Sequence, residues 1–190
     1  MNASMRLSII QPLRGQTLAT VIGLLASTGL RSGEALRLDR ADVDLSTGIL
    51  QIRKTKFRKD RLVPVHATTL VALQTYARYR DLAFPAQTSS AFFVSTRGTR
   101  LSTAGLHYGF HQACELAGLN RAGTRSVRPH DLRHRFAVTR LAHWHLQKAD
   151  VQSMLPILAT YLGHNRYSDT AYTPMGGQIP PPVGTSNSPT

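Results

Sequence analysis

Arg31, His130, Arg133, His164 and Tyr172 are the residues whose types, taken together, suit displacement at a phosphodiester. Such a reaction needs the non-bridging oxygens neutralised as charge builds, a nucleophile aimed in line, and a proton donor for the departing oxygen. An arginine fork donates two hydrogen bonds to one phosphate and stays charged at any relevant pH, so Arg31 and Arg133 are the expected clamp. The competing reading pairs Arg31 with Glu34 or Asp39 and Arg133 with Asp131, as ordinary surface ion pairs. His130 precedes Arg133 by nearly one helical turn, which projects both from one face of a helix opened by Pro129. A histidine there can donate to a phosphate oxygen or accept a phenol's proton. A phenol is a poor nucleophile until nearby positive charge favours its anion, and Tyr172 follows the cationic cluster.

The order of these residues is carried by Thr28-Gly29-Leu30-Arg31-Ser32-Gly33-Glu34, by Arg128-Pro129-His130-Asp131-Leu132-Arg133-His134-Arg135-Phe136-Ala137, and by Tyr161-Leu162-Gly163-His164. It resembles the tyrosine recombinase (phage integrase) family, whose pattern is Arg, Lys, His-x-x-Arg, His or Trp, then Tyr. The corresponding positions are Arg31, Lys56, His130 with Arg133, His164 and Tyr172, and the resemblance runs from Gln11 to Tyr172. It implies a site-specific DNA recombinase catalytic domain in which Tyr172 forms a 3′-phosphotyrosyl link. It further implies that His164 donates to the scissile phosphate and that a lysine protonates the departing 5′-oxygen. Lys56 matches that lysine through its relation to Leu62-Val63-Pro64, in preference to Lys54 or Lys59. The implied partner is double-stranded DNA, bound by a homo-oligomer, with neither a cofactor nor a metal.

Two departures from the family pattern keep a second reading open. Tyr172 lies eight residues after His164, one fewer than the family spacing, and one residue lost from a helix turns a side chain by about 100°. The helical core-binding domain that precedes the catalytic domain in the family is also expected to be absent here. The alternative is therefore a non-catalytic DNA-binding relic with an altered C-terminus. A topoisomerase-like nicking and rejoining enzyme shares the chemistry and differs only in what it requires of its substrate.

Composition is consistent with a polyanionic partner. The chain has 190 residues, 23 Lys and Arg against 10 Asp and Glu, and a net charge of +13. Each phosphate neutralised by such a surface releases condensed counterions. Arg97, Arg100, Arg121, Arg125 and Arg128 are candidates for backbone contacts. The single cysteine, Cys114, excludes an intramolecular disulfide and a cysteine-rich zinc site, and its helical surroundings mark it as a buried thiol. The histidines His134, His143 and His145 show no consistent metal-ligand spacing. The longest apolar stretch, Leu18 to Leu30, is shorter than the roughly 20 residues of a membrane span, so a soluble, cytoplasmic protein is expected.

The elements that must position these residues follow from periodicity. Apolar residues at Leu18, Val21, Ile22, Leu25 and Ala26 predict a helix over 17–27, with Gly29 at its C-terminal end. Ser32 is the expected cap of a second short helix through Leu38, with Glu34 in its first turn. Strands over 42–45, 49–53 and 62–65, separated by Ser46-Thr47-Gly48 and by a cationic turn containing Lys56, predict a small antiparallel meander. Helices are expected over 68–82, 102–117, 129–146 and 151–161, with Pro156 interrupting the last or starting a turn of it. Residues 91–94 read as a short strand. The fold class is thus α+β, mainly α-helical, and integrase-like. Residues 1–173 form the expected catalytic domain and 174–190 a Pro- and Gly-rich, disordered tail.

Overall fold

The computed structural model describes residues 3–53, 60–86, 89–119 and 126–163, with side chains described from Leu13 onward. Lys56, His164, Tyr172, Arg121, Arg125 and the 174–190 segment lie outside the described residues.

Six helices and one small sheet build the described fold. Helix α1 spans Ala3–Thr28, longer than its apolar spacing over 17–27 implied. Leu13, Val21, Leu24 and Leu25 are buried along it, so the stripe facing the core already begins one turn before Thr17. The buried hydroxyls of Thr17 and Thr28 stay satisfied by donating back to the carbonyls of Leu13 and Leu24, at 2.8 and 2.6 Å. Gly29 ends α1 in the left-handed region, at φ +65°, as its placement after the apolar stripe predicted.

Helix α2 covers Ser32–Arg37 and corrects one expectation. Its N-cap is Arg31, and Ser32 is already helical. The Glu34 carboxylate does the capping by accepting from the Arg31 backbone N–H at 3.0 Å. A 3₁₀ turn at Arg40–Asp42 leads into β1 (Val43–Asp44), β2 (Ile49–Ile52) and β3 (Arg61–Pro64). They form the antiparallel meander in the order β1-β2-β3, with Val43 opposite Leu50, Leu50 opposite Val63, and Ile52 opposite Arg61. Leu50, Ile52 and Val63 face the core, while Leu62 points outward.

Helix α3 (Ala67–Ala83) packs against α1 and carries Leu73, Tyr76 and Ala77 into the main core. The stretch Ala91–Val94 is buried but is not a strand of the sheet. It makes isolated antiparallel bridges, Asp39 to Ala91 and Val94 to Arg100, and the Tyr76 hydroxyl accepts from the Val94 N–H at 2.9 Å. Phe92 and Phe93 meet edge to face, 5.0 Å apart, and both reach Tyr76. Helix α4 (Thr103–Leu116) is capped by Ser102 and buries Cys114, whose thiol is pushed up by that burial.

Helix α5 (Pro129–Leu146) begins with Pro at its first position and lies against α1. Helix α6 (Val151–Leu162) is capped by the Asp150 side chain and runs through Pro156 without a break. The proline ring is exposed, and so is Gln152, whose carbonyl loses its partner N–H and can be hydrated. Leu155, Leu158, Ala159 and Leu162 make its buried stripe. Phe136, Leu141, Trp144 and Tyr161 pack around Ala137, Leu158 and Leu162 in a second, smaller core, with Phe136 and Tyr161 stacked.

Candidate active site

The site is assembled where the end of α1, the start of α2, the start of β3, the first turn of α5 and the end of α6 meet. The sharp reversal at Gly29 brings the chain from α1 into α2 and leaves Arg31 at the junction, 37% of its side chain exposed. Its guanidinium donates to Glu34 Oε1 at 3.1 Å and to the carbonyl of Gly163 at 3.1 Å. Arg133 extends from the buried face of α5 and donates to the carbonyls of Gly29 and Leu162, at 2.7 and 2.8 Å. Arg61 donates through Nε to the carbonyl of Tyr161 at 3.0 Å. Three successive carbonyls at the end of α6 therefore each receive a different arginine. Those carbonyls form the negative end of the helix dipole and have no partner within the helix, which is why cationic donors are favoured there.

At the centre lies Glu34, whose side chain is 2% exposed. Arg61 grips it with both terminal nitrogens, at 3.1 and 2.9 Å, while Arg31 adds its side chain and its backbone N–H. Burial alone would raise the Glu34 pKa, but the hydrogen bonds and charges of Arg61 and Arg31 outweigh it and hold the carboxyl below its ordinary range. Burial, together with the nearby charge of Arg31, lowers Arg133 to about 10, so it remains a cation at neutral pH. Two guanidinium groups hold the one carboxylate and Arg133 lies within reach of its charge, so the balance is positive.

His130 stands at the second residue of α5, one turn before Arg133 as its spacing predicted. Partial burial of the ring and then the charge of Arg133 hold its pKa below the ordinary histidine value, against the opposing pull of Asp131. The imidazole is accordingly neutral at pH 7, with one nitrogen donating and one accepting.

The structure thus brings together Arg31, His130 and Arg133, three of the six residues predicted for the site. The other three, Lys56, His164 and Tyr172, lie outside the described residues. The pairing of Arg31 with Glu34 is present, but Asp39 pairs with Arg100, and the partners of the Arg133 guanidinium are the two carbonyls. Arg100 also donates to the carbonyls of Leu36 and Leu38.

Sequence reasoning passed over Arg61 and undervalued Glu34. By type alone Arg61 is one more cation beside the turn between the strands over 49–53 and 62–65. Its alternation with Val63 on the buried face of β3 was the available signal. Among the described residues, no group of His, Cys, Asp or Glu side chains is arranged to hold a metal, and no helix is long and apolar enough to cross a membrane.

Comparison with known proteins gives this geometry a context. The family model described as the phage integrase family matches residues 5–172. The protein named integrase/recombinase y4rE of Sinorhizobium fredii is 65% identical over 171 residues, covering 90% of this chain and 54% of that protein. Tyrosine recombinase XerC of Chlamydia trachomatis is 33% identical over 150 residues, covering 79% of this chain and 44% of its own length. The chain spans about half the length of the curated relatives it matches. Among solved structures, the XerA recombinase aligns with a TM-score of 0.68 at 27% identity, over 90% of this chain and 56% of that one. The XerH recombinase bound to its difH substrate shares the fold at a TM-score of 0.64 and 23% identity, over 92% of this chain and 49% of that one.

Proposed function

Because this chain belongs to the phage integrase family, we propose that it cuts and rejoins DNA at specific sites through a covalent tyrosine intermediate. In this reading residues 1–173 are the catalytic unit and double-stranded DNA is the substrate. The protein works in the cytoplasm as a homo-oligomer on the DNA. The observation that carries the reading is the convergence of Arg31, Arg133 and His130 beside the end of α6, with His164 next in the chain after Gly163.

The Tyr172 oxygen attacks the scissile phosphorus, the bond from phosphorus to the 5′-oxygen breaks, and the departing oxygen takes a proton from Lys56. The result is a 3′-phosphotyrosine and a free 5′-hydroxyl. Arg31 and Arg133 neutralise the two non-bridging oxygens as charge develops, and His164 donates to one of them. His130, neutral at pH 7, is suited to accept the phenolic proton. A 5′-hydroxyl from the partner strand then attacks the same phosphorus and releases the tyrosine. Because the phosphotyrosine conserves the bond energy, no nucleotide cofactor enters the cycle.

The reading is tested with a nicked suicide DNA substrate carrying candidate sites, scored for a covalent, protease-sensitive adduct between protein and DNA. An adduct that disappears in Tyr172→Phe is the expected result. DNA binding that weakens with salt, without any adduct, overturns the enzymatic reading in favour of a DNA-binding protein that has lost its chemistry.

A further inference from the structure

Arg61 occupies the first position of β3, opposite Ile52 at the base of the β2–β3 pair, and Lys56 falls in the sequence that joins the two strands. Both terminal nitrogens hold the Glu34 carboxylate, and Nε holds the Tyr161 carbonyl. The side chain is 14% exposed, against 37% for Arg31, and all three of its nitrogens are directed into the protein. Both terminal nitrogens of this guanidinium meet a carboxylate, so its charge is neutralised inside the protein, whereas those of Arg133 meet only neutral carbonyls. Arg61 also lies directly against Gly163, where an added Cβ would come within 3.0 Å of its Nη1. The residue before His164 is therefore a glycine for two reasons: its φ of +69° and the space that Arg61 fills.

We infer that Arg61 is a positioning residue, a lock that fixes the Lys56 hairpin, the Arg31 clamp and the end of α6 to one another through Glu34. This rests on the recombinase reading for its effect on chemistry, though not for its effect on geometry. Three parts of the site come from distant stretches of chain, and among the described residues Arg61 joins the hairpin base to the Arg31 partner and to the residue two before Gly163. The planar fork matches a carboxylate with two parallel bonds while Nε reaches sideways to a carbonyl, which a lysine ammonium cannot do at once. Misplacement of catalytic groups by about 1 Å is enough to cost about 100-fold in rate.

The test compares Arg61→Gln and Arg61→Lys with the unaltered chain. Adduct formation is followed as a function of DNA concentration, and amide hydrogen exchange is measured at Arg61–Val63, at Tyr161–Gly163 and, as a reference, in α3. The expected outcome is a maximal cleavage rate lower by about 100-fold in both variants, with DNA affinity changed by less than about threefold. Exchange should be faster at the first two segments and unchanged in α3. Arg61→Lys retains the charge beside Glu34 and keeps the experiment decisive if Arg61→Gln does not fold. Cleavage by Arg61→Lys at the unaltered rate overturns the inference. If the unaltered chain forms no adduct, the recombinase reading falls by itself, and exchange decides the lock. Faster exchange at Tyr161–Gly163 in Arg61→Lys then supports it, and unchanged exchange overturns it.

Discussion

Arg133 reaches from the middle of the first two turns of α5 to the carbonyl of Leu162 at 2.8 Å, and so fastens α6 two residues before His164. The same guanidinium holds the Gly29 carbonyl at 2.7 Å, so one buried side chain joins the end of α1 to the end of α6. Replacing it removes two hydrogen bonds from a charged donor and leaves both acceptors in a site only 5% exposed. Arg133→Met should lower unfolding stability by about 3 kcal/mol, measured by urea denaturation at pH 7. A variant as stable as the unaltered chain would show that the two carbonyls find other donors.

Arg31 should behave in the opposite way. It is more exposed, and Glu34 keeps both of its bonds from Arg61 when Arg31 is shortened. Arg31→Ala is expected to cost about 1 kcal/mol or less of stability while abolishing adduct formation on the suicide substrate. Retained cleavage would remove Arg31 from the clamp.

Glu34 makes stability depend on acid. Its carboxyl in the folded chain sits below the ordinary value of 4.5, because the bonds from Arg61 and Arg31 outweigh the cost of burial. The folded state therefore binds the proton less readily than the unfolded one. The resulting stabilisation is complete above about pH 4.5 and is lost as pH falls through the lower folded value. Glu34→Gln should destabilise the protein at pH 7 by about 3–5 kcal/mol, since the Arg31 and Arg61 guanidinium groups lose their shared anion, and should flatten the acid limb of the stability profile. Urea midpoints between pH 3 and pH 7 check both effects.

His130 should titrate below 6.5, which NMR of its ring protons can follow. Partial burial and the Arg133 charge depress it, and Asp131 opposes them. Asp131→Asn is thus expected to move the midpoint further down. Since the folded protein holds the neutral ring more readily than the unfolded chain does, the associated stability is present above about pH 6.5 and declines as pH falls through the lower folded value.

Gly29→Ala tests the junction that sets Arg31. The added Cβ would lie 2.6 Å from Cδ1 of Phe136 and 2.9 Å from Cδ2 of Leu162, in a backbone region that costs an L-residue about 1–2 kcal/mol. A total loss of about 2–4 kcal/mol is expected once the repacking is included. Thermal unfolding of the variant gives the measurement.

Short-range rules made much of this protein legible from its residues. The apolar stripe before Gly29, the meander with its Ser46-Thr47-Gly48 turn, Pro129 at the head of α5, and the shared face of His130 and Arg133 each depend on neighbours within a few positions. Periodicity and turn chemistry act at that distance, so the sequence by itself determined most of the elements and where along α2 and α5 Arg31, His130 and Arg133 lie. It did not reveal that Ala91–Val94 would stay outside the sheet, or that α6 would run through Pro156. Those outcomes depend on the Tyr76 hydroxyl at Val94 and on solvent reaching the carbonyl of Gln152.

What only the tertiary structure decided is the gathering of arginines around Glu34 and the end of α6. The bonds from Arg61 to Tyr161, Arg133 to Gly29 and Arg31 to Gly163 span 100, 104 and 132 residues of chain. Alternation with Val63 marks the inward side of β3 for Arg61, but nothing local shows which distant carbonyl a buried arginine will meet. The choice is made when the helix end is desolvated, because its carbonyls then need donors and the cations that reach them lose water only in exchange for those bonds.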